Sequence, residues 1–188
     1  MPKHAGLRII AGRYKGRRLK TIDAPGTRPM TDRVRENLFN ILAPELEGAR
    51  LLDLFAGSGA VGIEALSRGA AAALFVESER AWADIITANL DDLGLRTSSL
   101  VMRTDAYKAV ESLGSSGQEF GIVFAGAPYD TDHHNRILAA VHAAGICRLG
   151  TIVLQYRAGD PLQTPTGYGI DTRTYGITAL SFLRYSDA

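Results

Sequence analysis

The sequence predicts an α/β fold with a mostly parallel sheet, and three observations carry that prediction. From Gly48 onward, short apolar runs alternate with helical patterns; a glycine turn joins the first run to its helix; and 188 residues, 46% of them hydrophobic, suit one sizeable core rather than two. The elements follow in order. Leu7 to Leu19 alternate apolar and basic residues around Gly12 and Gly16, which predicts a short β-hairpin with one strongly cationic face. Thr31 opens TDRVRENLFNIL, where Val34, Leu38, Ile41 and Leu42 recur at helical spacing behind a Thr or Asp N-cap. Next come the strand RLLDLF, the turn AGSG and the helix AVGIEALSRG, then the strand AALFVE and a helix through Trp82 to Leu93. The strand SLVMR and a short helix after Asp105 follow. The series closes with the strand FGIVFA, the loop GAPYD, a helix from about His133 to Ala144 and the strand TIVLQY. Such alternation implies crossover units and five parallel strands. The tail from about Tyr168 to Tyr185 reads as two β-rich runs around Tyr175 and Gly176, an antiparallel edge hairpin. We expect residues 1–30 to form a basic extension and residues 31–188 the main domain.

Charge is uneven along the chain. The net charge is only +1, yet Lys3, Arg8, Arg13, Lys15, Arg17, Arg18, Lys20, Arg28, Arg33 and Arg35 face only Asp23 and Asp32 in the same stretch. A single cysteine, Cys147, cannot form an internal disulfide, and its apolar surroundings AAGICRL suit a buried structural thiol rather than a nucleophile. His4, His133, His134 and His142 lack the spacing of a zinc site, so no metal is expected. No opening resembles a signal peptide and no apolar run is long enough to span a membrane, which fits a soluble, cytoplasmic protein.

The segment LLDLFAGSGAVG sets Gly57, Gly59 and Gly62 in the spacing GxGxxG between a strand and a helix, with Glu77 ending the next strand about twenty residues on. Glycines let the backbone approach a ligand closely, and Glu77 is positioned to accept from both hydroxyls of a ribose. This pattern alone does not choose the ligand. Asp53, at the end of the first strand, helps: a dinucleotide would place its pyrophosphate near this turn, and like charges repel. S-adenosylmethionine has no phosphate and carries a sulfonium and an ammonium, so Asp53 would attract it. Asp105, just after the third strand, suits the adenine amino group, with Ala106 offering a backbone donor. The competing reading makes each acid an ordinary solvated residue and each glycine a mere turn; the set in this order favours a pocket.

Beyond this loop the sequence resembles a known family, the RsmD-like enzymes that methylate guanine N2 in bacterial small-subunit (16S) ribosomal RNA. The resemblance spans nearly the whole chain and rests on RIIAGRYKGRRLK, TRPMTDRVRENLFNIL, LLDLFAGSGAVGIEALSRGA, AALFVE and YGITALSFLRY; the first two go beyond the general methyltransferase pattern. It implies the class I S-adenosylmethionine-dependent methyltransferase (Rossmann-like) fold with a seven-stranded sheet, S-adenosylmethionine as cofactor, and a monomer acting on RNA in the assembling small subunit. The pocket would comprise Asp53, Phe55, Ala56, Gly57, Ser58, Gly59, Glu77, Asp105 and Ala106, with Thr31 at the methionine end by analogy.

The resemblance also places a catalytic motif after the fourth strand: Asp or Asn, then Pro, Pro and an aromatic. Here the positions read Gly126, Ala127, Pro128 and Tyr129, and the first two depart. In the family pattern the first side chain accepts one N–H of the target amine, a backbone carbonyl accepts the other, and the aromatic ring stacks on the base. An exocyclic amine is a poor nucleophile until such bonds draw its lone pair out of the ring plane. Losing one charge-assisted hydrogen bond costs roughly 1.5–3 kcal/mol, about one to two decades of rate. Losing a true general base would cost about two to four decades. Impaired chemistry is therefore expected unless another group substitutes; Asp130 and Asp132 are near in sequence but read more readily as turn or cap residues. A further departure is Gln155, where the family usually has Glu, with a minor effect expected.

Arg13, Lys15, Arg17, Arg18 and Lys20 would contact RNA phosphates, and Arg28, Arg33 and Arg35 would extend that track toward the site, unless the stretch is simply a solvated face. Tyr14 would either stack on a base or pack beneath the hairpin. Two rival functions stand beside methyl transfer. One is a module that keeps cofactor and RNA affinity but has lost catalysis through Gly126 and Ala127. The other, a nicotinamide dehydrogenase, is disfavoured by Asp53 and by the lack of a substrate domain.

Overall fold

The structure, a computed structural model, describes residues 6–22, 30–129 and 132–186. Its helices are α1 (Asp32–Leu46), α2 (Ala60–Ser67), α3 (Arg80–Leu93), α4 (Ala106–Ser115) and α5 (His133–Ala144). Its strands are β1 (Arg50–Leu54), β2 (Ala72–Val76), β3 (Ser99–Met102), β4 (Ile122–Ala125), β5 (Thr151–Arg157), β6 (Tyr168–Tyr175) and β7 (Thr178–Tyr185). They form one seven-stranded sheet in the order β3-β2-β1-β4-β5-β7-β6. The first five are parallel, and β7 joins β5 antiparallel. The tail does form a hairpin, but only β6 is an edge strand, because β7 lies between β5 and β6.

Strand alternation sorts the core into two faces. Leu52, Leu54, Val76, Val123 and Leu154 pack toward α4 and α5. Leu51, Ile122, Phe124 and Val153 pack toward α1, and Ala73 and Phe75 join a cluster with Ile86 and Leu90 of α3. Sheet order reverses between β1 and β4, which places a crevice at the carboxyl ends of those strands, where open α/β sheets bind ligands.

Two expectations need correction. The N-terminal hairpin reduces to one antiparallel bridge, Arg8 to Arg18, with Ile9 N–H donating to the Arg17 carbonyl and Leu19 N–H to the Leu7 carbonyl. The ladder stops because α2 takes the next donors. Glu64 accepts from the N–H groups of Ile10 and Ala11 at 2.8 and 2.9 Å, and Ser67 Oγ accepts from Tyr14 N–H at 3.0 Å. Helix α1 runs one turn past the predicted Leu42 despite Pro44, and this last turn buries Leu46. A proline so near the C-terminus forfeits a single hydrogen bond of the last turn.

Candidate functional site

The glycine loop between β1 and α2 is held from beneath by two carboxylates. Asp53, 1% exposed, accepts from Gly62 N–H at 3.0 Å and so ties the strand end to the first turn of α2. Burial pushes its carboxyl up to about 8, opposed by the Gly62 N–H and reinforced by the nearby Glu77 charge. Asp53 is thus set behind the loop rather than on its surface. Glu77 accepts from Gly57 N–H through Oε2 and from Glu79 N–H through Oε1, each at 2.9 Å, which fixes its carboxylate at the mouth of the loop.

Gly57 and Gly62 have different tasks. Gly57, at φ +53°, has open space where a Cβ would lie, leaving its backbone approachable. A Cβ on Gly62 would meet the Phe75 ring at 2.3 Å, so that glycine lets α2 close on β2. On either side of Gly57, Ala56 N–H donates to the Val76 carbonyl, and the Ser58 carbonyl accepts from Asn89 Nδ2 at 3.1 Å. Gly59 caps α2 in the left-handed region.

Asp105 is the N-cap of α4, its Oδ1 accepting from Tyr107 and Lys108 N–H at 3.0 and 3.1 Å, and the buried Ala106 is the first helical residue. Sequence reasoning placed Phe55 in the pocket but missed the rings it packs on. Phe55, the only non-glycine with positive φ (61°) among the described residues, packs on Tyr107 and His133 with centroids 6.4 and 6.1 Å apart. Tyr107 Oη is hydrogen-bonded to His133 Nδ1 at 2.8 Å, and Arg136 lies over the Tyr107 ring. A non-glycine residue in that region costs about 1–2 kcal/mol, which this packing holds in place. No motif spacing reveals the cluster, because it joins β1, α4 and α5.

At the end of β4, Gly126 N–H donates to the Leu54 carbonyl at 3.3 Å, and Ala127 is buried while Pro128 is exposed. Tyr129 is anchored at its hydroxyl, which accepts from Gln155 Nε2 at 2.8 Å and shares a 3.1 Å hydrogen bond with Thr178 Oγ1. Gln155 therefore has a structural part that its sequence position did not disclose. Asp132 Oδ1 accepts from Asn135 Nδ2 at 2.6 Å, and Asp130 lies outside the described residues. Thr31 caps α1, accepting from Val34 N–H at 3.3 Å.

Among the basic residues, Arg13, Lys15, Arg17, Arg18, Lys20 and Arg33 are exposed, and Arg28 lies outside the described residues. Lys20 pairs with Asp92 at 2.7 Å, while Arg17 donates to the Asp92 carbonyl at the C-terminal end of α3. Arg35 is no part of an accessible track: it is 1% exposed, donates to the Arg8 carbonyl and Asp32, and faces Glu64. Helical spacing puts it on the buried side with Leu38 and Phe39. Tyr14 packs against the core, as one of its two alternatives foresaw. Ile9 and Leu19 are buried in that same cluster, so residues 6–22 sit on the rest of the fold. Asn89 fastens them to the glycine loop through the Lys20 backbone and the Ser58 carbonyl. Cys147 is buried, and burial pushes its thiol up to about 12. No helix among the described residues is long and apolar enough to cross a membrane.

The family described as conserved hypothetical protein 95 matches residues 7–184. YlbH of Bacillus subtilis (strain 168) is 35% identical over 181 residues, covering 95% of this chain and 98% of the relative. Ribosomal RNA small subunit methyltransferase D of Escherichia coli (strain K12) is 45% identical over 131 residues, 68% of this chain and 64% of the relative. The solved structure of yhhF from Escherichia coli superposes with a TM-score of 0.84 at 30% identity, covering 97% of this chain and 99% of the other. At the level of fold alone, the S-adenosylmethionine-dependent methyltransferase from Agrobacterium tumefaciens matches with a TM-score of 0.64 at 15% identity, over 89% of this chain and 66% of that one. The chain has the class I methyltransferase fold and belongs to the conserved hypothetical protein 95 family, the RsmD-like family that its sequence resembles.

Proposed function

We propose that this chain transfers the methyl group of S-adenosylmethionine to the N2 amine of a guanine in small-subunit ribosomal RNA. The observation that carries the reading is the strand-end constellation: carboxylates Asp53, Glu77 and Asp105 around an open Gly57 backbone, beside a Pro128–Tyr129 pair at the end of β4. The relative named ribosomal RNA small subunit methyltransferase D supports the RNA substrate, and the family resemblance supplies guanine N2.

The residues fit this cofactor. Gly57 leaves room where a side chain would stand, and the nearby acids favour a cation over a pyrophosphate. Glu77 would hold the ribose hydroxyls, Asp105 the adenine amine and Ala106 N–H a ring nitrogen. Phe55, Ala56, Ser58 and Gly59 would form the wall, and Thr31 would reach the methionine end. Bound there, S-adenosylmethionine supplies an electrophilic methyl group on its sulfonium. Buried Asp53, ionised once a cation is bound, would act through its field, stabilising that positive charge in a site of low dielectric. Tyr129 would stack on the flipped guanine with its ring orientation fixed by Gln155 and Thr178, and Pro128 would shape the loop. Arg13, Lys15, Arg18 and Arg33, aided by Arg17, Lys20 and Arg28, would hold phosphates. We further propose that the protein works as a cytoplasmic monomer on a partly assembled subunit.

A second reading rests on Gly126, which offers no side-chain acceptor: the chain binds cofactor and RNA without transferring a methyl group. One experiment separates the two. Labelled methyl transfer to unmodified small subunits is measured for this chain and for its Gly126→Asp, Ala127→Pro variant. Labelling by both supports the enzyme, labelling by the variant alone supports the disabled form, and labelling by neither rejects the substrate.

A further inference from the structure

Gly126 removes an acceptor from the end of β4, but the adjacent strand brings another to the same spot. Strands β4 and β5 are parallel neighbours, with Ala125 in register with Leu154, so Gly126 and Gln155 follow side by side. A Cβ built on Gly126 would lie 3.6 Å from Gln155 Oε1. An aspartate oxygen stands about 2.4 Å from its own Cβ by ordinary bond lengths, so the amide oxygen borders the volume that such a side chain would fill. The amide also has a defined direction. Its Nε2 donates to Tyr129 Oη, and that hydroxyl is held by Thr178, which turns Oε1 away from Tyr129 and toward position 126. Gln155 is half-buried, so its oxygen is partly shielded from water yet within reach of a ligand. Among the described residues, the two nearby acids each have one oxygen engaged: Asp132 Oδ1 accepts from Asn135, and Asp105 Oδ1 caps α4.

We propose that Gln155 replaces the missing side chain at position 126, its Oε1 accepting one N–H of the target amine while Tyr129 stacks on the base. The proposal rests on the methyl-transfer reading above and deepens it. The step balances without a general base. The amine lone pair forms the new N–C bond as the C–S pair returns to sulfur, leaving neutral S-adenosylhomocysteine, and the surplus N–H proton then passes to water. A neutral amide accepts a hydrogen bond but keeps no proton, so Gln155 aligns and polarises the amine rather than deprotonating it. The same bond to Tyr129 couples the acceptor to the stacking ring, so base and amine are positioned by one network.

The test is a cycle of Gln155→Leu and Gly126→Asp in the full chain, with turnover on unmodified small subunits, cofactor affinity by calorimetry and thermal melting. Gln155→Leu should lower kcat about tenfold with KM moved far less, the effect of one lost hydrogen bond. In the Gly126→Asp background the loss should shrink to about threefold, since a carboxylate then accepts. Gln155→Glu, which keeps an acceptor, should restore turnover relative to Gln155→Leu. A binding readout needs no turnover: with S-adenosylhomocysteine present, the chain should prefer RNA carrying guanine at the methylated position over the same RNA carrying inosine, which lacks the amine, and Gln155→Leu should reduce that preference. An equal kcat loss in both backgrounds would mean that Gln155 acts only by holding Tyr129, and would overturn the proposal. So would a chain that is active only after Gly126→Asp, although the methyl-transfer reading would then survive. Cofactor binding without transfer in any variant would overturn both.

Discussion

The carboxyl ends of β1 and β2 and the carboxyl ends of β4 and β5 are built on opposite plans. In the first region every acid is tied to backbone a short distance away: Asp53 to Gly62, and Glu77 to Gly57 and Glu79. In the second the motif residue Gly126 has no side chain, and the polar atoms come from Gln155 and Thr178 on neighbouring strands. A site whose acids are tied to the backbone of one glycine loop and its flanks tolerates little change, because each side chain also holds the loop. A site assembled across strands tolerates losing one group, since a neighbour already borders the gap.

The sharpest way to break this contrast is Glu77→Ala. It leaves the part-buried Gly57 and Glu79 N–H groups without their partner and removes the proposed ribose acceptors. Cofactor affinity by calorimetry should fall about a hundredfold or more; a change under threefold would refute the pocket. Next, Asp53 makes the first region sensitive to pH. Its carboxyl, raised to about 8 by burial, is largely protonated at neutral pH, and a bound cation favours the ionised form. Cofactor affinity should therefore rise by up to about tenfold per pH unit below 8 and level off above it, with proton release seen as a buffer-dependent heat. The sign for stability is opposite. The folded pKa lies above the unfolded one, so the ligand-free chain should lose stability as pH rises from about 4 to about 8, measured by denaturant melts.

The second region should respond more gently. Gly126→Asp should raise turnover about tenfold, the difference between a charged and a neutral acceptor. The Cβ would sit 3.0 Å from the Phe124 ring, so a small shift of that ring accompanies the change, and melting should hardly move. Smallest of all, Arg13→Ala or Arg18→Ala should weaken RNA binding only a few-fold while reducing the salt slope by roughly one each. An unchanged slope in filter binding would remove those residues from the interface.

The glycine loop, the three acids and the five parallel strands were legible because each is encoded locally: apolar runs with a defined period, glycines at turns, carboxylates at strand ends. Burial of Asp53 was not legible, since a strand-end acid looks the same whether it faces water or the first turn of a helix. Arg35 looked like one more base in a cationic stretch. Its place on the inner side of α1 opposite Glu64 depends on where α2 packs, and the clamp of Glu64, Ser67 and Asn89 on residues 6–22 links positions far apart in the chain. The Phe55–Tyr107–His133 cluster was hidden for the same reason.

The amino-acid sequence by itself determined the order and type of the elements, the glycine loop with its acids, and the family to which the chain belongs. Hydrophobic periodicity and turn chemistry act within a few residues, and a chain carries that information without folding. Only the tertiary structure decided which acids are buried, which bases remain in water, and that Gln155 borders the gap at Gly126. Those outcomes depend on the parallel pairing of β4 with β5 and on helices closing over the sheet, contacts that no local pattern specifies.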